Sequence, residues 1–223
     1  MKQLNNILKF EDWGLVKYSE ALQKQELYVE EVKSQTRTST VIFCSHPPIV
    51  TLGRSTQEGD LCGWTGEILN VNRGGRATYH GPSQLVIYPI ISIKGTRNNS
   101  GPQDVGAFLR DFESAIVKVL KDININSTGK SYQPKSQNSD PSPETGVWVG
   151  DKKIASLGLA IRHWITYHGA AINVEYDNKA FIGLKPCGFD PSVMTSIEEQ
   201  LGAPPDRLFL KDRLMIRLKE ELL

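Results

Sequence analysis

Along the chain, apolar positions switch between the period of a helix and that of a strand, and these switches divide it into elements. Leu15, Tyr18, Leu22, Val29 and Val32 recur at near-helical spacing and predict an amphipathic helix from about Trp13 to Val32. Thr40 to Cys44 is an unbroken apolar run, as expected of a buried strand, and it ends at His46-Pro47-Pro48 because tandem prolines cannot continue a ladder. Ile49 to Gly53 and Leu69 to Asn72 read as short extended pieces, the second leading into Arg73-Gly74-Gly75-Arg76. Leu85 to Ile93 is a long β-branched run whose one proline, Pro89, predicts an edge strand or a bulge.

The clearest helical stripe is Val105, Phe108, Leu109, Phe112, Ala115, Ile116, Val119 and Leu120, with Gly101-Pro102 marking its start. Ser127 to Thr145 is rich in Ser, Pro, Gln and Asn and predicts a mobile surface loop within the domain. A hairpin around Gly150-Asp151 joins Gly146–Val149 to Lys153–Ile161, and Ile165 to Val174 follows as a strand. Helices are expected near Val193 to Leu201 and Lys211 to Leu222. Strands and helices mix without a strict βαβ alternation. The expected architecture is therefore an α/β (α+β) domain, a mixed β-sheet flanked by helices, built from all 223 residues.

Charge and cysteine usage narrow the function classes. With 26 Lys plus Arg against 25 Asp plus Glu, the chain has no global basic excess to draw it to nucleic acid. The cysteines, Cys44, Cys62 and Cys187, form no C-x-x-C pair, which argues against a disulfide framework and fits a reducing, cytoplasmic setting. The N-terminus carries no long apolar run, so neither a signal peptide nor a membrane association is expected. The four histidines lack metal-ligand spacing, and no metal is expected. No G-x-S-x-G elbow, dinucleotide fingerprint or P-loop appears.

Three segments carry candidate chemistry. Leu184-Lys185-Pro186-Cys187-Gly188-Phe189 presents a thiol at a bend, and a thiol is useful there only as thiolate. Lys153, at the hairpin, is a possible proton acceptor, although the sequence alone does not bring the two together. Arg73-Gly74-Gly75-Arg76-Ala77-Thr78-Tyr79-His80 combines close-approach glycines with charged forks. Tyr167-His168-Gly169-Ala170-Ala171 leads small residues into a strand, a shallow wall for an extended apolar ligand. Structural roles compete with each reading, since lone histidines are usually hydrogen-bonded structural groups and Cys44, inside an apolar run, is expected to be an inert core thiol.

The run from Arg73 through Tyr79-His80-Gly81-Pro82-Ser83-Gln84 to Pro89 resembles the signature of the lipoyl(octanoyl) transferases, relatives of the lipoate and biotin protein ligases. The resemblance continues, in order, through His46–Gly53, Lys153–Gly158, His168-Gly169 with Asn173-Val174, and Pro186-Cys187-Gly188; Ser83 stands where the family usually has glycine. It implies a biotin/lipoate protein ligase-like fold and transfer of an octanoyl or lipoyl group from acyl-carrier protein. The acceptors implied are lysines of lipoyl domains of 2-oxoacid dehydrogenase complexes and of the glycine cleavage H protein. It further implies Cys187 as acyl-thioester nucleophile and Lys153 as its acid–base partner, with no cofactor of the enzyme's own. Substrate contacts would come from Arg73, Gly74, Gly75, Arg76, Ala77, Thr78, Tyr79 and His80, from Ser156, Leu157 and Gly158, and from Gly169, Ala170 and Ala171. Backbone N–H groups of the glycine-rich turns are expected to hold the oxyanion. Two alternatives stand beside this one, an ATP-dependent ligase on the same scaffold and a non-catalytic acyl-binding protein.

Overall fold

Residues 7–97, 101–130 and 145–223 are described by a computed structural model. In chain order the elements are β1 (Lys9–Leu15), α1 (Tyr18–Lys33), β2 (Thr40–Ser45), β3 (Ile49–Leu52), β4 (Glu67–Asn70), β5 (Thr78–His80), β6 (Gln84–Ile90), α2 (Val105–Asp122), β7 (Thr128–Gly129), β8 (Gly146–Val149), β9 (Lys152–Arg162), β10 (Ile165–Asn173), α3 (Ile197–Leu201) and α4 (Arg207–Leu222). Seven strands form one sheet in the order β1-β2-β6-β10-β9-β8-β7, and a second sheet has the order β4-β3-β5. Both are mixed: β1–β2 and β3–β4 pair in parallel, while the central pairings of the large sheet are antiparallel.

The two unbroken apolar runs become strands buried on both faces. Val41, Phe43, Leu85 and Ile87 point to one side of the large sheet, Ile42, Cys44, Val86, Tyr88 and Ile90 to the other, as the pleat requires. The first side packs against α2 and α4 through Phe108, Phe112, Ile116, Leu120, Leu210, Leu214 and Leu218. Each of these buried side chains contributes about 1.5–3 kcal/mol. The second side packs against α1 through Ala21, Val29 and Val32. Among the described residues no helix is long and apolar enough to cross a membrane.

Several sequence expectations need correction. The first helix starts at Tyr18, because Trp13 and Leu15 belong to β1, an edge strand whose mixed burial gave no clean alternation. Thr78–His80 is a strand of the small sheet, set in what the sequence suggested was a loop. Pro89 lies in a strand between β2 and β10 and so is not at an edge; the β6–β10 ladder ends at Ile87–Ala170, so the missing proline N–H interrupts nothing. Beyond that point Thr166 Oγ1 donates to the Pro89 carbonyl at 2.6 Å. Of the expected loop from 127 to 145, Thr128–Gly129 pairs with Val147–Trp148, and residues 131–144 lie outside the described residues. The helix expected from Val193 begins at Ile197, where Ser196 and Glu199 form a reciprocal capping box. The last helix starts earlier than expected, at Arg207, behind the Asp206 cap.

Candidate active site

Cys187 occupies the left-handed region at φ 55°, a strained place for a residue with a Cβ, and Gly188 follows at φ 83°. The turn is fixed from three directions. The Cys187 N–H donates to the Ala77 carbonyl at 2.8 Å, the Gly188 N–H to Lys185 at 2.9 Å, and the Lys185 N–H to the Asp60 carbonyl at 2.8 Å. A Cβ on Gly188 would strike the Arg76 guanidinium, so only glycine allows that arginine to lie against the turn. Arg76 is in turn gripped by the buried Asp60 carboxylate through Nε at 3.1 Å and through Nη2. Burial, the largest single effect, would raise the Asp60 carboxyl, but the Arg76 hydrogen bond and charge together with the Gln57 and Ala77 N–H groups hold it below its usual range.

Lys153 is fully buried. Its ammonium lies 5.5 Å from the centre of the Trp148 ring and 5.8 Å from that of Phe189, so two neighbouring rings supply negative quadrupole. Phe189 is two residues past Cys187, which places the lysine beside the cysteine turn. The Lys153 backbone is pinned to the same region by the Thr195 N–H at 3.0 Å.

Arg73 is the second buried cation. Its Nη2 donates to Thr51 O and Oγ1, both at 2.8 Å, and its Nη1 to the Gly74 carbonyl at 3.0 Å. Burial pushes its guanidinium down from the usual range, and the neighbouring Tyr18, Cys187 and Tyr88 oppose that shift. Arg73 and Arg76 are therefore both within electrostatic reach of the Cys187 sulfur.

Behind Arg73 lies a buried cluster of aromatic polar groups. His46 Nδ1 faces the Val16 carbonyl at 2.8 Å, so that nitrogen carries the proton and Nε2 accepts from the Tyr88 hydroxyl at 2.7 Å. The Tyr18 hydroxyl is hydrogen-bonded to His168 Nδ1 at 3.2 Å. Burial lowers His46 to about 4 and His168 to about 3, and drives His80 well down, so all three rings are neutral near pH 7. Burial also pushes the Tyr18 hydroxyl up to about 12. Both His80 nitrogens and His168 Nε2 have no hydrogen-bond partner among the described residues.

Two connected spaces meet at Cys187. A cavity of about 430 Å³ runs along Gly74, Gly75 and Arg76, with Val105, Leu109 and Ile161 among its apolar walls. That volume lies within the ordinary range for a small-molecule pocket. A tighter space of about 30 Å³ continues to Thr78, His80, Tyr18 and His168. Ser156, Leu157, Gly158, Gly169, Ala170 and Ala171 line it too, and it has room for about one water molecule.

Most of the expected site residues therefore converge. Arg73, Gly74, Gly75, Arg76, Thr78 and His80 face one or both spaces, as do Ser156, Leu157, Gly158, Gly169, Ala170 and Ala171, whereas Lys153 lines neither and meets the cysteine turn through the ring of Phe189. Tyr79 and Ala77 do not, because alternation along the strand sends Tyr79 to the opposite side, where it packs on Trp64 and Phe181 and its hydroxyl donates to Asp177 at 3.3 Å. Ala77 contributes its carbonyl to the cysteine turn instead. The expected backbone oxyanion donors are partly committed, since the N–H groups of Gly74, Cys187 and Gly188 each bond a carbonyl. Gly158 and Gly169 are required by the chain itself: a Cβ on Gly158 would lie 2.9 Å from the Gly74 carbonyl, and one on Gly169 would overlap the Ile87 carbonyl. Sequence reasoning missed Tyr18, Tyr88, Asp60 and Phe189, which stood in ordinary apolar or charged contexts. Cys44 is buried and its thiol is pushed up by burial, the inert core thiol expected of it.

Comparison with known proteins places this geometry. A family described as the lipoyl protein ligase A/B catalytic domain matches residues 17–219. The octanoyltransferase of Bdellovibrio bacteriovorus is 48% identical over 216 residues, covering 96% of this chain and 99% of that protein. The octanoyltransferase of Syntrophotalea carbinolica is 32% identical over 215 residues, covering 96% and 94%. Among solved structures, a putative lipoate protein ligase from T. acidophilum with bound lipoic acid superposes with a TM-score of 0.68 at 16% identity, covering 96% of this chain and 84% of that one. The biotin protein ligase from Aquifex aeolicus superposes with a TM-score of 0.52 at 11% identity, covering 97% and 69%. At such identities the structural likeness establishes the fold alone.

Proposed function

We infer the activity from one premise: the chain belongs to the lipoyl protein ligase A/B catalytic domain family, with octanoyltransferases among its nearly full-length relatives. It is an acyltransferase that moves an octanoyl group in protein lipoylation. We propose the route by which it does so. The Cys187 thiolate attacks the thioester carbon of octanoyl-acyl-carrier protein, the bond to the phosphopantetheine sulfur breaks, and that sulfur leaves with a proton from Lys153. A lysine amine of an acceptor lipoyl domain then attacks the new thioester, Lys153 takes its proton, an amide forms and the Cys187 sulfur is released. The first step exchanges one thioester for another at nearly equal free energy and the second is downhill, so no ATP is consumed.

The observation that carries this reading is the built cysteine turn. A strained thiol sits where two cavities meet, Arg73 and Arg76 are in electrostatic reach, and a buried lysine lies against the ring of Phe189. Positive charge beside the sulfur stabilises the oxyanion formed from the attacked carbonyl. Acid–base help from Lys153 contributes roughly 10²–10⁴ in rate. The acyl chain fits the apolar stretch of the larger cavity, with Gly74, Gly75 and Leu157 along it. Arg73, Thr78, His80, Ser156, Gly158, Gly169, Ala170 and Ala171 form the narrow continuation. The three free thiols support a cytoplasmic setting.

Transfer assays with octanoyl-acyl-carrier protein and a lipoyl domain test this. Cys187→Ala and Lys153→Ala each abolish transfer on this account, and the native enzyme works without ATP. Near-native transfer by Cys187→Ala removes the covalent route, and an ATP requirement turns the reading toward a ligase.

A further inference from the structure

We propose that Glu113 is a positioning residue for Lys153 and acts through Gly146. The inference rests on the proton-transfer role given to Lys153 above. Glu113 lies on the apolar face of α2 among Phe112, Ile116 and the other core residues, and it is 3% exposed. A carboxylate there costs desolvation that a leucine would not, so its presence needs a polar purpose. Its Oε1 accepts the Gly146 N–H at 3.2 Å. On the neighbouring strand it presses against Gly129, where a Cβ would lie 2.6 Å from the Glu113 carboxyl carbon. The bare Gly129 thus leaves the slot that the carboxylate fills, while Gly146 on the paired strand supplies the N–H that it accepts.

Gly146 faces the lysine as well. Its φ is +146°, and a Cβ built on it would meet Lys153 Cε at 2.6 Å and Nζ at 3.4 Å, as well as the Ala155 carbonyl. The missing side chain is therefore the space that the end of Lys153 occupies. Glu113 fixes the strand residue, the strand residue leaves the gap, and the gap directs the ammonium toward the rings of Trp148 and Phe189. One glycine separates carboxylate from ammonium, so removing the Glu113 charge changes the electrostatic field at the ammonium.

The test compares steady-state transfer and its pH profile for Lys153→Ala, Glu113→Ala, Glu113→Gln and Gly146→Ala, each checked for folding by thermal unfolding. Glu113→Ala is expected to lower kcat about tenfold or more with donor KM little changed, and to displace the pH profile. Glu113→Gln keeps an acceptor for the Gly146 N–H, so kcat returns most of the way while the pH profile stays displaced. Gly146→Ala is expected to lose about 10²-fold. If that variant does not fold, the Glu113 pair decides. A folded Glu113→Ala enzyme with native kcat and pH profile overturns the proposal, as does equal loss in Glu113→Ala and Glu113→Gln with an unmoved profile. Lys153→Ala at native rate removes the catalytic reading and this one with it. A slow Lys153→Ala beside a fast Glu113→Ala removes the positioning alone.

Discussion

The Lys153 ammonium lies 5.8 Å from the centre of the Phe189 ring, and that ring meets Trp148 edge-on at 5.6 Å. Two rings therefore share one buried cation, and both are within a few residues of groups assigned to the reaction. A cation over an aromatic face is worth about 0.5–2 kcal/mol. Phe189→Leu keeps the bulk and loses the quadrupole. Acyl transfer should slow by about tenfold at most, with thermal stability nearly native. An unchanged rate in a folded Phe189→Leu enzyme detaches the ring from the chemistry.

The imidazole cluster predicts acid sensitivity. His46 and His168 are lowered by burial to about 4 and about 3, against 6.5 in the unfolded chain. Because the folded values are depressed, the unfolded state binds more protons below pH 6.5. Stability is complete above that pH and declines as pH falls toward the folded values, by about 1.4 kcal/mol per pH unit for each histidine. Unfolding free energy measured from pH 7 to pH 5 should fall steeply, and His168→Gln should flatten the slope. Parallel slopes for the two proteins contradict the assignment.

Asp60→Asn tests the support beneath the cysteine turn. The substitution removes the charge partner of Arg76 while that arginine stays packed against Gly188. Breaking such a pair costs about 3 kcal/mol, and because the Asp60 carboxyl is depressed, the same stabilisation fades in the native protein as pH falls through its folded value. Denaturant unfolding at pH 7 checks the magnitude. A loss under about 0.5 kcal/mol, typical of a surface site, contradicts it.

Gly158→Ala probes the wall common to both cavities. The new Cβ would lie 2.9 Å from the Gly74 carbonyl and 3.3 Å from Arg73 Cδ, so the arginine–glycine loop has to shift. Overpacking of this kind costs about 1–3 kcal/mol, and the displaced loop should raise donor KM as well as lower kcat. Unaltered kinetics argue that the loop does not touch the donor.

Much of the fold was legible because strand alternation and the α2 stripe are local signals. The edge strand β1 was not, since its burial follows no clean period, and Pro89 misled because a ladder that stops two residues earlier makes a central proline harmless. In the site, Cys187, Lys153 and the Arg73–His80 stretch stood out by residue type and motif. Tyr79 was carried along by its neighbours until the strand turned it away. Glu113, Asp60 and Tyr18 join the site from elements distant in sequence, through contacts that exist only once the two sheets and α2 have packed.

The central claim is a covalent acyl group on the sulfur at 187, and intact-protein mass spectrometry reads it directly. After brief mixing with octanoyl-acyl-carrier protein and no acceptor, the enzyme should gain the mass of one octanoyl group, peptide mapping should locate it on Cys187, and adding a lipoyl domain should discharge it. An enzyme that transfers octanoyl groups at full rate while never carrying that mass contradicts the account.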